Sequence, residues 1–171
     1  MTVGTDEMKV YIANLGKYNE GELAGAWFSF PIDFEEVEEK IGLNAEYEEY
    51  AIHDYELPFP IDEYTSIDRL NHIYDLMHEL DGEPIFDELN EILSYWFTDI
   101  EELIEHKDEI IFYSDCESMR DVAEYCIDET GVLNALPENM RYYFDYTALG
   151  RDMELEGNYL VTSHGVFEYV G

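Results

Sequence analysis

The sequence predicts an α+β protein, an elongated chain of three small units. Two observations carry that reading. Short alternating runs of β-forming residues lie towards both ends, at 9–13, 26–32, 50–57 and 110–114 and in a terminal pair at 158–163 and 166–170. Between them, residues 65–105 repeat apolar side chains at spacings of three and four, the period of helices that bury one stripe. Neither an internal repeat nor a low-complexity linker interrupts this order.

The first unit, residues 1–61, reads as β-β-α-β. Lys9 to Ala13 is a strand, Asn14 to Gly25 a glycine-punctuated loop, and Ala26 to Ile32 a second strand. Within the loop, Lys17-Tyr18-Asn19-Glu20-Gly21 reads as a turn, since Asn and Gly supply left-handed backbone positions. Asp33 is an N-cap with Glu36 three residues on, so a helix runs from Phe34 to Ile41 and stops at Gly42. Tyr50 to Leu57 alternates again as a third strand.

Residues 62–108 read as a small acidic helical bundle. Thr65 or Ser66 caps a helix with Ile67, Leu70, Ile73, Tyr74, Met77 and Leu80 on one stripe, ended by Gly82. Pro84 suits the first turn of a second helix, whose buried face runs from Ile85 to Phe97. Thr98 with Glu101 reads as the capping box of a third. Residues 109–171 return to mixed structure. Ile110 to Ser114 is a strand, and Ser118 caps a helix through about Glu129 with Met119, Val122, Ala123 and Cys126 inward, ended by Gly131. Pro137 begins a shorter helix holding Tyr142, Tyr143 and Phe144, and His164-Gly165 joins a final hairpin.

Charge sets the function classes. The 171 residues carry 42 acids and 8 bases, a net of −34, whereas a small soluble domain usually carries about 2 to 8 in magnitude. That balance excludes a protein that grips nucleic acid with its own basic surface, and it argues against an anionic membrane partner. With 46% hydrophobic and 15% aromatic residues the chain has the material for a core, so it is not a disordered polyanion. The longest apolar runs fall short of a membrane span, and Met1 to Val10 lacks the pattern of a signal peptide. Cys116 and Cys126 make no disulfide framework. The expected setting is a reducing cytoplasm.

The acidity is spread. Residues 1–32 carry a net of −2, 33–63 of −11, 64–109 of −12 and 110–171 of −9. Like charges recur at helical spacing in Glu35 and Glu39, Glu101 and Glu105, and Glu105 and Glu109, each pair costing about 0.2–0.5 kcal/mol. A sequence shaped for stability alone would place lysines there, so the surface is selected for charge itself. The candidate partner-binding acids are Glu35, Glu36, Glu39, Glu46, Glu48, Glu49, Asp62, Glu63, Asp75, Glu79, Asp87, Glu88, Glu91, Glu101, Glu102 and Glu105.

No catalytic constellation stands out. Carboxylates are so frequent that no pair is distinguished as an acid–base couple. His72, Asp75 and His78 have metal-ligand spacing but no accompanying ligand set, so a polar helix face is the simpler reading. Cys116 and Cys126 lack a CxxC partner, and Cys126 reads as a small core residue. Phosphate-binding glycine loops and EF-hand loops are absent from the sequence. Tyr47, Tyr50, Tyr55 and Tyr64 read as amphipathic cover for a thin core or as partner contacts. The expectation is therefore no enzyme, no cofactor and no metal.

Charge spacing points instead to imitation of DNA. Duplex DNA carries one charge per roughly 1.7 Å, so 34 charges match about 58 Å of it. A 171-residue globule would be roughly 40 Å across, too short to spread them, and elongation relieves the self-repulsion. A halophilic acidic housekeeping or binding protein is the alternative reading; it would unfold in low salt. A cation-binding protein or metal-dependent enzyme would need clustered ligands.

The run from Tyr11-Ile12-Ala13-Asn14-Leu15-Gly16 to Gly21-Glu22-Leu23-Ala24-Gly25-Ala26-Trp27-Phe28, the segment Leu133-Asn134-Ala135-Leu136-Pro137-Glu138, the following Tyr143-Phe144-Asp145-Tyr146, Arg151-Asp152 and the final hairpin together resemble the ArdA antirestriction proteins of conjugative plasmids and transposons. The resemblance runs from Met8 to the end. It implies a three-part elongated fold, a homodimer, mimicry of bent B-form DNA, and inhibition of type I restriction–modification enzymes through the groove of their specificity and methyltransferase subunits. The motif at 133–146 is poor in acids, so scaffold or dimer contact is its expected role. With the uncharged strand at 110–113 close by in sequence, the expected dimer interface includes Phe112, Tyr142, Tyr143 and Phe144.

Overall fold

The computed structural model describes residues 3–171. It is an α+β protein with two small antiparallel sheets, and its contacts group into two compact units. One holds the described residues through Ser94 together with Thr98–Ile104; the other holds Tyr95–Phe97 and Glu105–Gly171. The segments 1–61 and 62–108 expected from sequence thus fall largely within one contact unit.

In the first unit, β1 (Lys9–Asn14) is the central strand, flanked by β2 (Gly25–Ser29) and β3 (Tyr50–Glu56), both antiparallel to it. Alternation along β1 turns Val10 and Ile12 into a core with Phe28, Ile32, Ile52 and the buried stripe of α2 (Phe34–Ile41), Val37 and Ile41. α2 forms where the sequence placed it: Asp33 accepts from the Glu35 amide at 3.0 Å, and Gly42 closes the helix at φ 74°. Ile67 and Leu70 of α3 (Ile67–Met77) complete the core.

The expected loop at 14–25 contains a short helix, α1 (Leu15–Asn19), which is too short to show a periodic stripe. Asn14 is buried and accepts from the Lys17 amide at 3.1 Å, while its Nδ2 donates to the carbonyls of Ile41 and Gly42. The second strand stops at Ser29 rather than Ile32, just before Pro31, which has no amide to donate. Ile32 is held instead by the Asn71 side chain, through its amide at 2.7 Å and its carbonyl at 2.8 Å.

The acidic helices also depart in detail. Ser66 caps α3, which gives way to a 3-10 turn, His78–Leu80, before Gly82. The helix expected after Pro84 is broken at Glu88 into α4 (Pro84–Asp87) and α5 (Leu89–Trp96). α6 (Ile100–Glu105) starts one residue later than the expected box requires: Asp99 accepts from the Glu102 amide at 2.9 Å, and Glu102 reaches back to the Thr98 amide and hydroxyl, both at 2.8 Å.

In the second unit β4 (Ile110–Tyr113), β6 (Gly165–Tyr169) and β5 (Tyr159–Thr162) form a sheet in that order. Its alternation separates two faces. Val166, with Tyr113 and Tyr159, packs on Met119 and Val122 of α7 (Met119–Thr130). Tyr169 belongs to the other face and packs tilted against Trp96 and Phe97 and edge-on to His106, at centroid distances of 5.1–6.2 Å. Cys116, rather than Cys126, is the buried cysteine; Cys126 packs half-buried at the edge of the same cluster. Burial raises both thiol pKa values.

The segment after Gly131 differs most from expectation. Val132–Ala135 is a 3-10 turn and α8 (Glu138–Arg141) a single α-helical turn, and Tyr142, Tyr143 and Phe144 lie beyond it. Three-residue turns, with the amides of Tyr143 and Phe144 donating to the carbonyls of Met140 and Arg141, replace an α-helical ladder. A helix that the sequence reading did not assign, α9 (Tyr146–Glu156), then packs along α7.

Candidate protein-binding surface

Thirteen of the sixteen nominated acids are exposed. On α2, burial of Val37 and Ile41 turns Glu35, Glu36 and Glu39 outward, and Glu38 joins them, an exposed acid the sequence reading passed over. The loop after α2 is shaped by Asn44, whose side chain accepts from the amides of Glu46 and Tyr47 at 2.8 and 3.0 Å, leaving Glu46, Glu48 and Glu49 in solvent. Asp62 and Glu63 are exposed on a turn that the Asp62 carboxylate stabilises by accepting from the Tyr64 amide at 2.8 Å. Asp75 and Glu79 face outward from α3 and its 3-10 extension; Asp87, Glu91 and Glu105 are also exposed. Asp54, Glu56, Asp68 and Glu83 are further exposed acids that no local pattern distinguished.

Three nominated acids differ. Glu101 and Glu102 are half-buried, the first against Arg69 at 3.3 Å and the second as the reciprocal cap of α6. Glu88 is only 8% exposed, because the break between α4 and α5 turns it inward. It lines a cavity of about 420 Å³ with Val3, Tyr55, Pro58, Phe59 and Leu89 among its walls. A local charge count cannot see such a reversal.

Few of these charges are neutralised. Among the described residues, five Lys or Arg side chains pair with carboxylates: Lys9 with Glu56, Lys40 with Glu36, Arg69 with Glu101, Lys107 with Asp108, and Arg120 with Glu124. Lys17 lies over the Tyr47 ring at 5.7 Å, and Arg141 bonds main-chain carbonyls. The Tyr47 hydroxyl donates to Glu20 at 2.9 Å, which raises its pKa.

His72, Asp75 and His78 are not joined into a ligand set. His78 sits against Asp81 at 3.0 Å and edge-on to Tyr74, and the Thr5 hydroxyl also donates to Asp81. Those two donors, Thr5 first, hold the Asp81 carboxyl below its usual pKa. Among the described residues, no group of three or more His, Cys, Asp or Glu is placed to hold a metal ion. No helix there is long and apolar enough to cross a membrane.

The aromatic candidates divide in two. Phe112 and Phe144 are half-buried, packed on Phe167 at 4.6 Å and Tyr146 at 4.9 Å. Tyr142 and Tyr143 are 83% and 82% exposed. Val132, Leu136 and Met140 are exposed on the same segment, and the sequence reading did not nominate them. Their four-residue spacing was the available signal.

The fold and surface define a small α+β protein whose outside carries a dense field of carboxylates. The antirestriction protein family ArdA matches residues 10–168, and the chain belongs to that family. Membership implies an antirestriction function, that of an inhibitor of restriction enzymes rather than of an enzyme. No curated protein matches the chain.

Proposed function

We propose that this protein inhibits type I restriction–modification enzymes by mimicking DNA, occupying the DNA-binding groove of their specificity and methyltransferase subunits. The observation that carries this reading is the exposed acidic surface of a chain with net charge −34, whose 42 acids far outnumber its 8 bases. A basic groove built for phosphates gains the same counterion release from such a surface as from DNA. Residues 1–61 and 62–108 supply the mimic through the exposed acids named above. Residues 109–171 join two copies through Phe112, Tyr142, Tyr143 and Phe144. One chain matches about 58 Å of DNA by charge and two match about 116 Å, which suits a bipartite target. The inhibitor acts in the cytoplasm, where those enzymes meet incoming DNA, and needs no cofactor or metal.

The test is competition with a DNA duplex for a purified type I methyltransferase, titrated with salt. Displacement of DNA that weakens steeply as salt rises is the expected result. Failure to displace DNA at low salt, by a protein that remains folded there, overturns the mimic reading.

A further inference from the structure

Residues 131–144 are unusual in this chain. They carry one acid, Glu138, and one base, Arg141, and so have no net charge. They expose Val132, Leu136, Met140, Tyr142 and Tyr143, a run of apolar and aromatic side chains on a segment built of two short helical turns. Exposed apolar surface of this kind marks an interaction site, and ordering it without a core costs conformational entropy.

Arg141 offsets that cost. Its Nε donates to the Leu136 carbonyl at 3.1 Å and its guanidinium Nη2 to the Asn134 carbonyl at 3.4 Å. Five of the eight bases face carboxylates, whereas this one spends its fork on two main-chain oxygens of its own segment. The carbonyls come from the end of one turn and the guanidinium from the next, so the contact closes 134–141 into a loop. A planar guanidinium fixes such a geometry in a way an ammonium does not.

We propose that Arg141 is a positioning residue for self-association: it preforms the 131–144 loop so that Leu136, Met140, Tyr142 and Tyr143 meet a second copy. The occupant is a second copy because this loop is uncharged while the rest of each chain is strongly acidic, so contact here brings the fewest like charges together. The inference rests on the dimer reading above and adds the residue that shapes the interface. Preorganisation of this kind acts on affinity by lowering the ordering cost of association.

The experiment compares Arg141→Met, Arg141→Lys and Arg120→Met with the full wild-type chain. It measures the dimer dissociation constant by analytical ultracentrifugation and secondary structure by far-ultraviolet circular dichroism. Arg141→Met is expected to raise the dissociation constant at least tenfold with an unchanged spectrum. Arg141→Lys should recover only part of the loss, and Arg120→Met should stay within threefold of wild type. The proposal is overturned if Arg141→Met also stays within threefold, if lysine restores association fully, or if Arg120→Met weakens it equally. Should Arg141→Met lose its spectrum, the lysine variant decides by the same measure. A wild-type chain that is monomeric at tens of micromolar removes the dimer reading itself, and the role of Arg141 with it.

Discussion

Phe112 stacks on Phe167 with ring centroids 4.6 Å apart and planes inclined by 29°. The two residues are also directly opposite in the β4–β6 register. Phe112 therefore has a place in its own sheet as well as in the proposed interface. Phe112→Asp sets a carboxylate against a fully buried ring. We expect it to give monomers at micromolar concentration by light scattering, with the circular dichroism spectrum kept and a melting point several degrees lower, on the order of 1–3 kcal/mol of lost stability. A variant that remains dimeric removes Phe112 from the interface.

The exposed acids predict a graded response. An exposed charge contact is worth about 0–1 kcal/mol, so Glu46→Gln or Asp62→Asn alone should change inhibition less than fivefold. Replacing Glu35, Glu36, Glu38 and Glu39 together should lower inhibition by a far larger, cumulative factor and flatten its salt dependence. One exposed-acid substitution that abolished inhibition in a folded protein would refute a distributed surface. Glu88→Gln belongs to another class, since its side chain faces a cavity, and its effect should appear in stability rather than in salt-dependent binding.

Tyrosine ionisation sets the alkaline limit. Burial, then a hydrogen bond to Glu168, raises the pKa of Tyr113 and of Tyr159 far above the ordinary 10; the Tyr113 hydroxyl donates to the carboxylate at 2.7 Å. In the unfolded chain both release protons near pH 10, while the folded protein keeps them. The stability they contribute is fully present below pH 10 and is lost as pH rises above it. Urea midpoints should fall above pH 10, and the fall should be shallower in Tyr113→Phe and Tyr159→Phe. Equal slopes in wild type and both variants would contradict this linkage.

These relationships differ in how far a linear sequence can show them. α2 was legible to the residue because Asp33, the Val37–Ile41 stripe and Gly42 are all local signals. The acidic surface was legible from composition, since most charged residues stay in water whatever the fold. The inward turn of Glu88 was not, because it depends on where α4 ends and α5 begins. The loop of 134–141 depends on a guanidinium meeting two carbonyls five and seven residues away, a contact without a period. α1 and α9 were passed over for a related reason: one is a single capped turn, and the other packs through a glycine where a helical stripe would show a large apolar residue.

That glycine carries the last prediction. Gly150 is buried in the middle of α9, where a β-carbon would lie 2.6 Å from the Met119 carbonyl oxygen and 2.7 Å from its carbon. Both are backbone atoms at the start of α7, so no side-chain rotation relieves the clash. Helix propensity alone favours Gly150→Ala by about 1 kcal/mol. The close approach reverses that sign, because making room separates two helices that pack along each other, at a cost on the order of 1–3 kcal/mol. Gly150→Ala should therefore lower the urea midpoint, while Thr147→Ala, exposed on the same helix, should leave it within about 0.5 kcal/mol or raise it. An alanine at 150 that stabilised the protein would show that α9 does not dock on α7 through this contact.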